Sequence, residues 1–481
     1  MRAILSTFLL ASLCVLSGCV VGPNYKRQVV SPPTTFRGQD VPAPASIADL
    51  PWWSVFADQT LQTLVKTAIT NNRDLRAAAA RVEQARALVA ASHAQYLPQI
   101  GYQAGVSEGK NESLGSPASS SGVRRGTVLG VLQATWEPDV WGRIRRSNEY
   151  ALAVYLGTEQ GRRGVLLSLV SSVAQVYFEL QELDLRLDIA RRNAESFQGS
   201  LDIFQSRLDG GTASRLETSR AQGALSSVAA NIPDLERQIA IQENALSVLL
   251  GNAPGSIPRK GTLLEETLPP DVPAGLPSGL LERRPDVLEA EMNVRAANAQ
   301  IGIATADFFP RIGLTTLLGR GSTPLEALVL GKAGIWSTAA TLAGPIYEGG
   351  ALRARKRAAV ALWEQTRNQY EQVVLGAFRD VSNALITREK LELMRAQEAI
   401  AVNAFQDAVT VSLQRYNAGK SSYYEVLAAQ QELFPAENAL AQTELDRRLA
   451  IVQLYQALGG GWNVPDAQWG GPPAATGSKQ P

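Results

Sequence analysis

Residues 74–100 read DLRAAAARVEQARALVAASHAQYLPQI, and residues 286–312 read DVLEAEMNVRAANAQIGIATADFFPRI, at a constant offset of 212. The alignment pairs Asp74 with Asp286, Val82 with Val294 and Pro98 with Pro310. A second pair of blocks, residues 207–214 and 415–422, keeps step at an offset of 208. Two offsets this similar, held over most of the chain, indicate two structural repeats.

Each repeat has the same predicted order of elements. A helix of ~24 residues precedes a non-helical hairpin, a helix of ~65 residues, a glycine turn and a helix of ~38 residues. Prolines mark the junctions, because proline excludes the helical conformation from the residue before it. We therefore divide the chain into a segment at 19–72 that includes the first helix, a first repeat at 73–251 with its hairpin at 98–138, a Pro-rich linker at 252–284, a second repeat at 285–459 with its hairpin at 310–345, and a flexible tail at 460–481.

The long helix of the first repeat carries an apolar stripe with alternating steps of three and four residues. Its members are Leu166, Leu169, Val173, Val176, Leu180, Leu183, Leu187, Ala190, Ala194, Phe197, Leu201, Phe204 and Leu208. This heptad predicts a left-handed coiled coil, and ~65 helical residues would reach about 100 Å. In the second repeat Arg388, Arg395 and Glu398 interrupt the stripe, so we expect different packing there and an opening movement near the interruption.

The two hairpins have the length of membrane strands. Four segments of about 9–11 residues lie between Pro98 and Pro138 and between Pro310 and Pro345. Four strands cannot close a barrel, so the sheet must be shared between chains, although the sequence alone does not set the number of copies. Aromatic residues near the strand ends favour either the membrane interface or packing at the junctions; these are Trp136, Trp141, Phe308, Phe309 and Tyr347.

The N-terminus reads MRAILSTFLLASLCVLSGC, which is typical of a secretory signal peptide over residues 1–18. Its end, Leu16–Cys19, resembles the bacterial lipobox, in which the cysteine is acylated and becomes the mature N-terminus. Cys14 would leave with the leader, so the mature chain can form no internal disulfide and no thiolate metal site. Val20 stands where an aspartate usually retains lipoproteins in the inner membrane, so the resemblance implies the outer membrane.

The composition weighs against several functions. A formal net charge of +1 provides no field that would concentrate nucleic acid. His93 is the only histidine, and no glycine-rich phosphate loop is present, so we expect no catalytic, cofactor or metal site and no enzymatic activity. A lipid-anchored periplasmic rod that conducts nothing would also explain the heptads. It does not predict four barrel-length segments at equivalent places in two repeats.

Four motifs resemble the outer-membrane efflux lipoproteins, the NodT-type branch of the TolC-like outer-membrane factors. They are CVVGPNY at 19–25, WW at 52–53, EPDVWG at 137–142 and LPPDVPAGLPSGLLERRPD at 268–286. The resemblance implies a mainly α-helical chain with a membrane β-barrel, in which a trimer forms 12 outer-membrane strands and a long periplasmic helical barrel. It also implies a palmitoylated Cys19 and an equatorial region built from the linker and the C-terminal residues.

The implied function is a passive exit duct for drugs and other small toxic compounds, which confers multidrug resistance. Its partners would be outer-membrane lipid, a periplasmic adaptor protein and, through the adaptor, an inner-membrane pump of the RND type. The alternatives are a duct for type I protein secretion or for metal efflux. Metal efflux is less favoured, because the whole chain has one histidine and three methionines for soft cations.

The resemblance also assigns residues to sites. Two turns would dock the adaptor, and their residues are Gly210, Gly211, Thr212, Ser214, Gly419, Ser421 and Ser422. The periplasmic gate would lie in the helix that follows the second turn, with Tyr424 as an apolar constriction. Ala428 stands where relatives often carry aspartate, so an acidic ring is in doubt, and Glu425 or Arg220 of the first repeat would have to contribute instead.

Overall fold

A computed structural model describes residues 20–38, 46–56, 58–110, 124–212, 214–259, 263, 274–275, 277–322, 334–465 and 468–469. The predicted signal peptide, Cys19, part of the predicted linker and the end of the predicted tail lie outside the described residues. The described helices are α1 (Trp52–Val55), α2 (Gln59–Asn71), α3 (Arg73–His93), α4 (Arg143–Asp209), α5 (Arg215–Ala229), α6 (Asn231–Leu249), α7 (Pro277–Arg283), α8 (Pro285–Ala306), α9 (Ala351–Asn417) and α10 (Tyr423–Ala457), with 3₁₀ turns at Ile47–Asp49 and Ala94–Tyr96. The described strands are β1 (Gln99–Lys110), β2 (Arg124–Trp136), β3 (Arg311–Ser322) and β4 (Gly334–Ala343).

The described residues form two compact units. The strand unit contains the described parts of residues 1–29, 81–159 and 289–370. The turn unit contains the described parts of residues 30–80, 160–288 and 371–481. Both repeats contribute to both units. The predicted fold class, mainly helical with two long helices and four strands, is confirmed, whereas the predicted domain boundaries stay a prediction.

The predicted stripe of α4 forms part of the core of the turn unit. Every member from Leu166 to Leu208 is buried or partly buried. A second face of the same helix is also buried, at Val170, Ala174, Tyr177 and Phe178. The Tyr177 hydroxyl donates a hydrogen bond to Asp58, and the Phe178 ring lies 6.3 Å from the ring of Phe56. The segment before α2 therefore covers a face that the heptad alone does not predict.

By length and composition, α4 is also the one described helix that could cross a membrane. In its most apolar 18-residue window, 61% of the residues are buried inside the protein. A buried core helix passes the same test, so we assign this apolar content to packing.

The third helix of the first repeat differs from the prediction, because it is two helices that meet at Ala230. Pro233 lies near the start of α6 and has no backbone N–H to donate to the carbonyl of Ala229. The missing hydrogen bond interrupts the ladder at the point where α5 ends. The corresponding helix of the second repeat, α10, contains Pro435 and is nevertheless assigned without interruption from Tyr423 to Ala457, so a proline alone does not divide the helix.

The four strands form one antiparallel sheet in the order β1-β2-β3-β4. One cross-strand row consists of large apolar side chains, in which each residue pairs with the next: Tyr102, Leu132, Leu318 and Trp336. All four are exposed, by 85, 57, 61 and 79%. An apolar row of this size on the open face of a sheet is typical of contact with lipid or with another protein.

Candidate gate and docking turns

The turn between α4 and α5 is a Schellman motif. Gly211 has a φ of +73°, and the Thr212 amide donates to the Arg207 carbonyl at 2.8 Å. The Gly211 amide donates to the Leu208 carbonyl at 2.9 Å. These bonds satisfy carbonyls at the end of α4 that have no partner within the helix. On the other side of the turn, Ser214 and Glu217 form a reciprocal capping box that begins α5.

The turn between α9 and α10 repeats this backbone but not its capping. Gly419 has a φ of +69°, and the Lys420 amide donates to the Arg415 carbonyl at 2.9 Å. Ser422 occupies the N-cap position of α10, yet its side chain accepts no capping hydrogen bond. Glu425, which corresponds to Glu217 at the offset of 208, instead lies 3.8 Å from the guanidinium of Arg415. The second turn is therefore the less firmly capped of the two.

Gly211→Ala is expected to destabilise the first turn by about 1–2 kcal/mol, because residues with a Cβ are strained at positive φ. A Cβ at this position would meet no atom within 4 Å, so the backbone conformation alone is tested. Hydrogen exchange of the amides at 211 and 212 should be about 5–30-fold faster in the variant.

Gly210→Ala is the matched control, because Gly210 is not among the positive-φ glycines and its Cβ would lie 3.5 Å from the nearest atom, an ordinary contact. Equal exchange rates in the two variants would contradict the role assigned to Gly211.

An aromatic cluster lies beneath both turns, and we call it the tip cluster. Its buried members are Phe197, Phe204, Ala221, Val228, Tyr423, Val426 and Leu427. The ring centroids of Phe204 and Tyr423 lie 3.9 Å apart, and the Tyr416 ring lies 5.7 Å from Phe204. The cluster joins helices of the two repeats within the turn unit.

Arg207 and Tyr416 close the tip cluster, and sequence reasoning missed this pair. The Arg207 guanidinium donates a hydrogen bond to the Tyr416 hydroxyl, and its central carbon lies 4.5 Å from the centre of the Tyr416 ring. The bond joins the last turns of the two long helices. No local sequence pattern could have indicated it, because the partners are 209 positions apart.

The predicted gate residues have different environments. Tyr424 is 66% exposed, whereas its neighbour Tyr423 is 3% exposed and belongs to the tip cluster. Ala428 is partly buried on α10, and Arg220 is exposed on α5. Glu425 pairs with Arg415 rather than with Arg220, and both side chains of that pair are about half exposed. The structure thus leaves Tyr424 as the aromatic side chain of this set that is open to solvent.

Where the apolar stripe of the second repeat is interrupted, Arg395 forms an ion pair with the neighbouring helix. Arg395 lies 2.9 Å from the buried carboxylate of Glu444 on α10, which also binds Arg447 at 2.8 Å and Arg448 at 3.0 Å. Arg447 in turn makes a bidentate contact with Glu392. We call these five side chains the α9–α10 network. Arg395 therefore joins the two helices through an ion pair at this interruption of the apolar stripe, and the opening movement that we expected near it stays a prediction.

The aromatic residues at the strand ends divide into two groups. Trp141 stacks on Phe309 with ring centroids 4.8 Å apart and donates to the Pro310 carbonyl at 2.7 Å, so both rings pack at the junction. Phe308 and Trp136 are 38 and 40% exposed, and Tyr347 is 87% exposed. These three side chains are therefore the ones available for contact at the membrane interface.

Comparisons with known proteins agree with this architecture. Residues 64–252 and 276–460 match the family described as outer membrane efflux protein. The chain is 34% identical to the cation efflux system protein CusC of Escherichia coli O6:H1, with 93% of this chain and 96% of that protein covered. It is 35% identical to the solvent efflux pump outer membrane protein SrpC of Pseudomonas putida, with 94 and 97% covered.

Among solved structures, the outer-membrane channel OprN superposes with a TM-score of 0.86 at 30% identity, covering 92% of this chain and all of that chain. The matches extend over both repeats and include the helices that carry the two turns. The chain therefore belongs to the outer membrane efflux protein family and is an efflux channel protein of the outer membrane.

Proposed function

We propose that this protein is the passive exit duct of a tripartite efflux system and that it acts as a trimer without enzymatic activity. The observation that carries the proposal is the open four-stranded sheet with its exposed row Tyr102, Leu132, Leu318 and Trp336. Such a row is stable where lipid covers it. Lipidation of Cys19 would add an anchor to the same membrane.

Closure of the barrel supports an oligomer. Within the described residues, β1 and β4 each pair on one side only, and an open strand edge is not stable in lipid. Because β1 and β4 run in opposite directions, β4 of one copy can pair antiparallel with β1 of the next. Three copies would form the 12-stranded barrel that the family resemblance implies.

The two turns are suited to bind a periplasmic adaptor, and through it an inner-membrane pump of the RND type. Gly210, Gly211 and Gly419 are exposed and carry no side chain, so a partner helix can approach the backbone closely. We propose that the second turn is the one that moves on opening, because its N-cap lacks the side-chain bonds of the first. The bond between Arg207 and Tyr416 would then hold the resting state.

Small organic compounds are the proposed substrates. CusC is named for cation efflux and SrpC for solvent efflux, at nearly equal identity to this chain, so their names do not separate the two classes. One histidine and three methionines leave few soft ligands for copper-type cations along a duct, which favours organic compounds. Efflux of metal cations or secretion of proteins remains the second candidate.

The deciding experiment is planar-bilayer conductance of the purified full-length protein, with the oligomer mass measured in the same detergent. We expect a trimer that opens rarely and with small conductance. A monomer or dimer that does not conduct would contradict the proposal and favour a lipid-anchored rod. In a host that lacks its own exit duct, restored resistance to organic solvents but not to copper or silver would identify the substrate class.

Tyr424→Ala is expected to raise the resting conductance, because it removes the exposed ring assigned to the constriction. Leu216→Ala is the matched control, since Leu216 is the equivalent position in the first repeat at the offset of 208 and is also exposed, by 59%. Single-channel recording of both variants measures the effect. Conductance of Tyr424→Ala equal to that of the wild type would remove Tyr424 from the gate.

A further inference from the structure

The segment Val20–Arg27, which directly follows Cys19, has no regular secondary structure but is firmly bound to the strand unit. We call this segment the strap. Its Val21 amide donates to the Trp141 carbonyl at 3.2 Å, just before α4 begins. The Pro23 carbonyl accepts a hydrogen bond of 3.0 Å from Asn298 on α8. The strap thus bridges the helix that follows β2 and the helix that precedes β3.

Arg146 is the centre of this contact. Only 1% of the residue is exposed. Its guanidinium donates to the carbonyls of Val21 and Gly22, at 3.2 Å each, and to the side-chain oxygen of Asn24 at 2.8 Å. Its remaining terminal nitrogen lies 2.7 Å from Glu149. A buried guanidinium needs such acceptors, and here three of the four belong to the strap.

Two glycines set the close fit of the strap against α8. Gly22 has a φ of +89°, and a Cβ there would lie 2.6 Å from the Cα of Gly302. A Cβ on Gly302 would in turn lie 2.7 Å from the Arg146 side chain. Backbone therefore packs on backbone, which brings the Gly22 carbonyl within reach of the guanidinium.

The far end of the strap is held by Glu291 on α8. This carboxylate accepts a hydrogen bond from the Tyr25 hydroxyl at 3.2 Å and forms an ion pair with Arg27 at 3.1 Å. Burial and the neighbouring Glu291 carboxylate raise the pKa of Tyr25 above its ordinary value, so the hydroxyl stays protonated and can donate. The strap is consequently held at both ends and at its centre.

We infer that Arg146, with Gly302 beside it, is an internal receptor for the strap that holds the lipid anchor at the junction of β2 and α4. Val20 lies close to that junction, since a Cβ on Gly142 would be 3.0 Å from the Val20 Cα. An acyl group on the residue before Val20 would then enter the membrane leaflet beside the strand ends. It would not be connected to the protein by a flexible linker. The inference rests on the proposed lipidation of Cys19.

The test measures how fast trypsin separates a palmitate label from the full-length protein in native membranes. Lys26 and Arg27 at the end of the strap are exposed, but cleavage after either one requires the neighbouring strap residues to leave the protein surface and enter the protease. The labelled peptides that end at residue 26 or 27 are therefore quantified by mass, separately from cleavage at the exposed Arg37. We expect Arg146→Met to release the label about tenfold faster than the wild type, through loss of charge-assisted hydrogen bonds to the strap. Arg146→Lys, which keeps the charge but not the planar fork, should give an intermediate rate.

Gly22→Ala is a second variant that leaves the Arg146–Glu149 pair in place, and we expect it to release the label as fast as Arg146→Met. Arg143→Met is the matched control, because Arg143 pairs with Glu137 at the start of the same helix. Wild-type release rates in Arg146→Met and Gly22→Ala would overturn the inference while leaving lipidation intact. Absence of palmitate label on the wild type would overturn lipidation and the inference with it.

Discussion

Replacing Glu444 by alanine is expected to lower the free energy of unfolding by about 3–5 kcal/mol, the cost of removing one partner of a buried ion pair. Glu444 is 4% exposed and Arg448 3%, and the two side chains lie 3.0 Å apart. The alanine variant would remove the buried carboxylate that Arg447 and Arg448 share. Unfolding by guanidinium chloride in detergent, followed by the helical circular dichroism signal, measures the loss of stability.

Glu392→Ala is the control within the same network. Glu392 also binds Arg447, but its side chain is 49% exposed, so the loss should stay below about 1 kcal/mol. Equal losses in the two variants would show that burial of the carboxylate is not what matters at Glu444.

The pH dependence of stability is a second test of the Glu444 prediction. Burial by itself would raise the pKa of Glu444, but the hydrogen bonds from Arg395 and Arg448 and the charges of Arg447 and Arg448 outweigh it, so the pKa lies below its ordinary value of 4.5. A carboxyl with a lowered pKa in the folded state stabilises the protein above the ordinary pKa, and this contribution is lost as the pH falls through the lowered value. The difference in stability between wild type and Glu444→Ala should therefore be full at neutral pH and shrink in acid below pH 4.5.

Arg207→Ala is expected to raise the open-to-closed ratio of the channel about 5–30-fold, which corresponds to about 1–2 kcal/mol. The variant loses both the hydrogen bond to the Tyr416 hydroxyl and the contact with its ring. A charge-assisted hydrogen bond of this kind contributes about 1.5–3 kcal/mol when buried, and partial exposure lowers the value. Open probability in planar bilayers is the measurement.

Two further variants separate the contributions at this pair. Tyr416→Phe keeps the ring under the guanidinium but removes the hydroxyl, so we expect an increase smaller than that of Arg207→Ala. Arg215→Ala removes a cation from the exposed side of the first turn and serves as the matched control. An open probability in Arg207→Ala equal to that of Arg215→Ala would contradict a role for the bond in holding the resting state.

Local patterns along the chain predicted the two long helices, the four strands and their order. Proline junctions, left-handed glycines such as Gly211 and Gly419, and the heptad stripe act through neighbouring residues, so their effects can be read along the chain. The helix that contains Pro233 was predicted as continuous, and its division at Ala230 was missed. The four family motifs carried the prediction of an outer-membrane channel.

Contacts between distant side chains could not be predicted in this way, because they depend on the tertiary fold. Arg207 with Tyr416, Glu444 with Arg395, and Arg146 with Val21 join residues that are 209, 49 and 125 positions apart. In the sequence, Arg207, Glu444 and Arg146 are indistinguishable from residues on a solvated helix face, and Arg395 stands out only because it interrupts the apolar stripe. Burial makes the difference, because a charge removed from water must find its partners, and the fold alone determines which charges are buried.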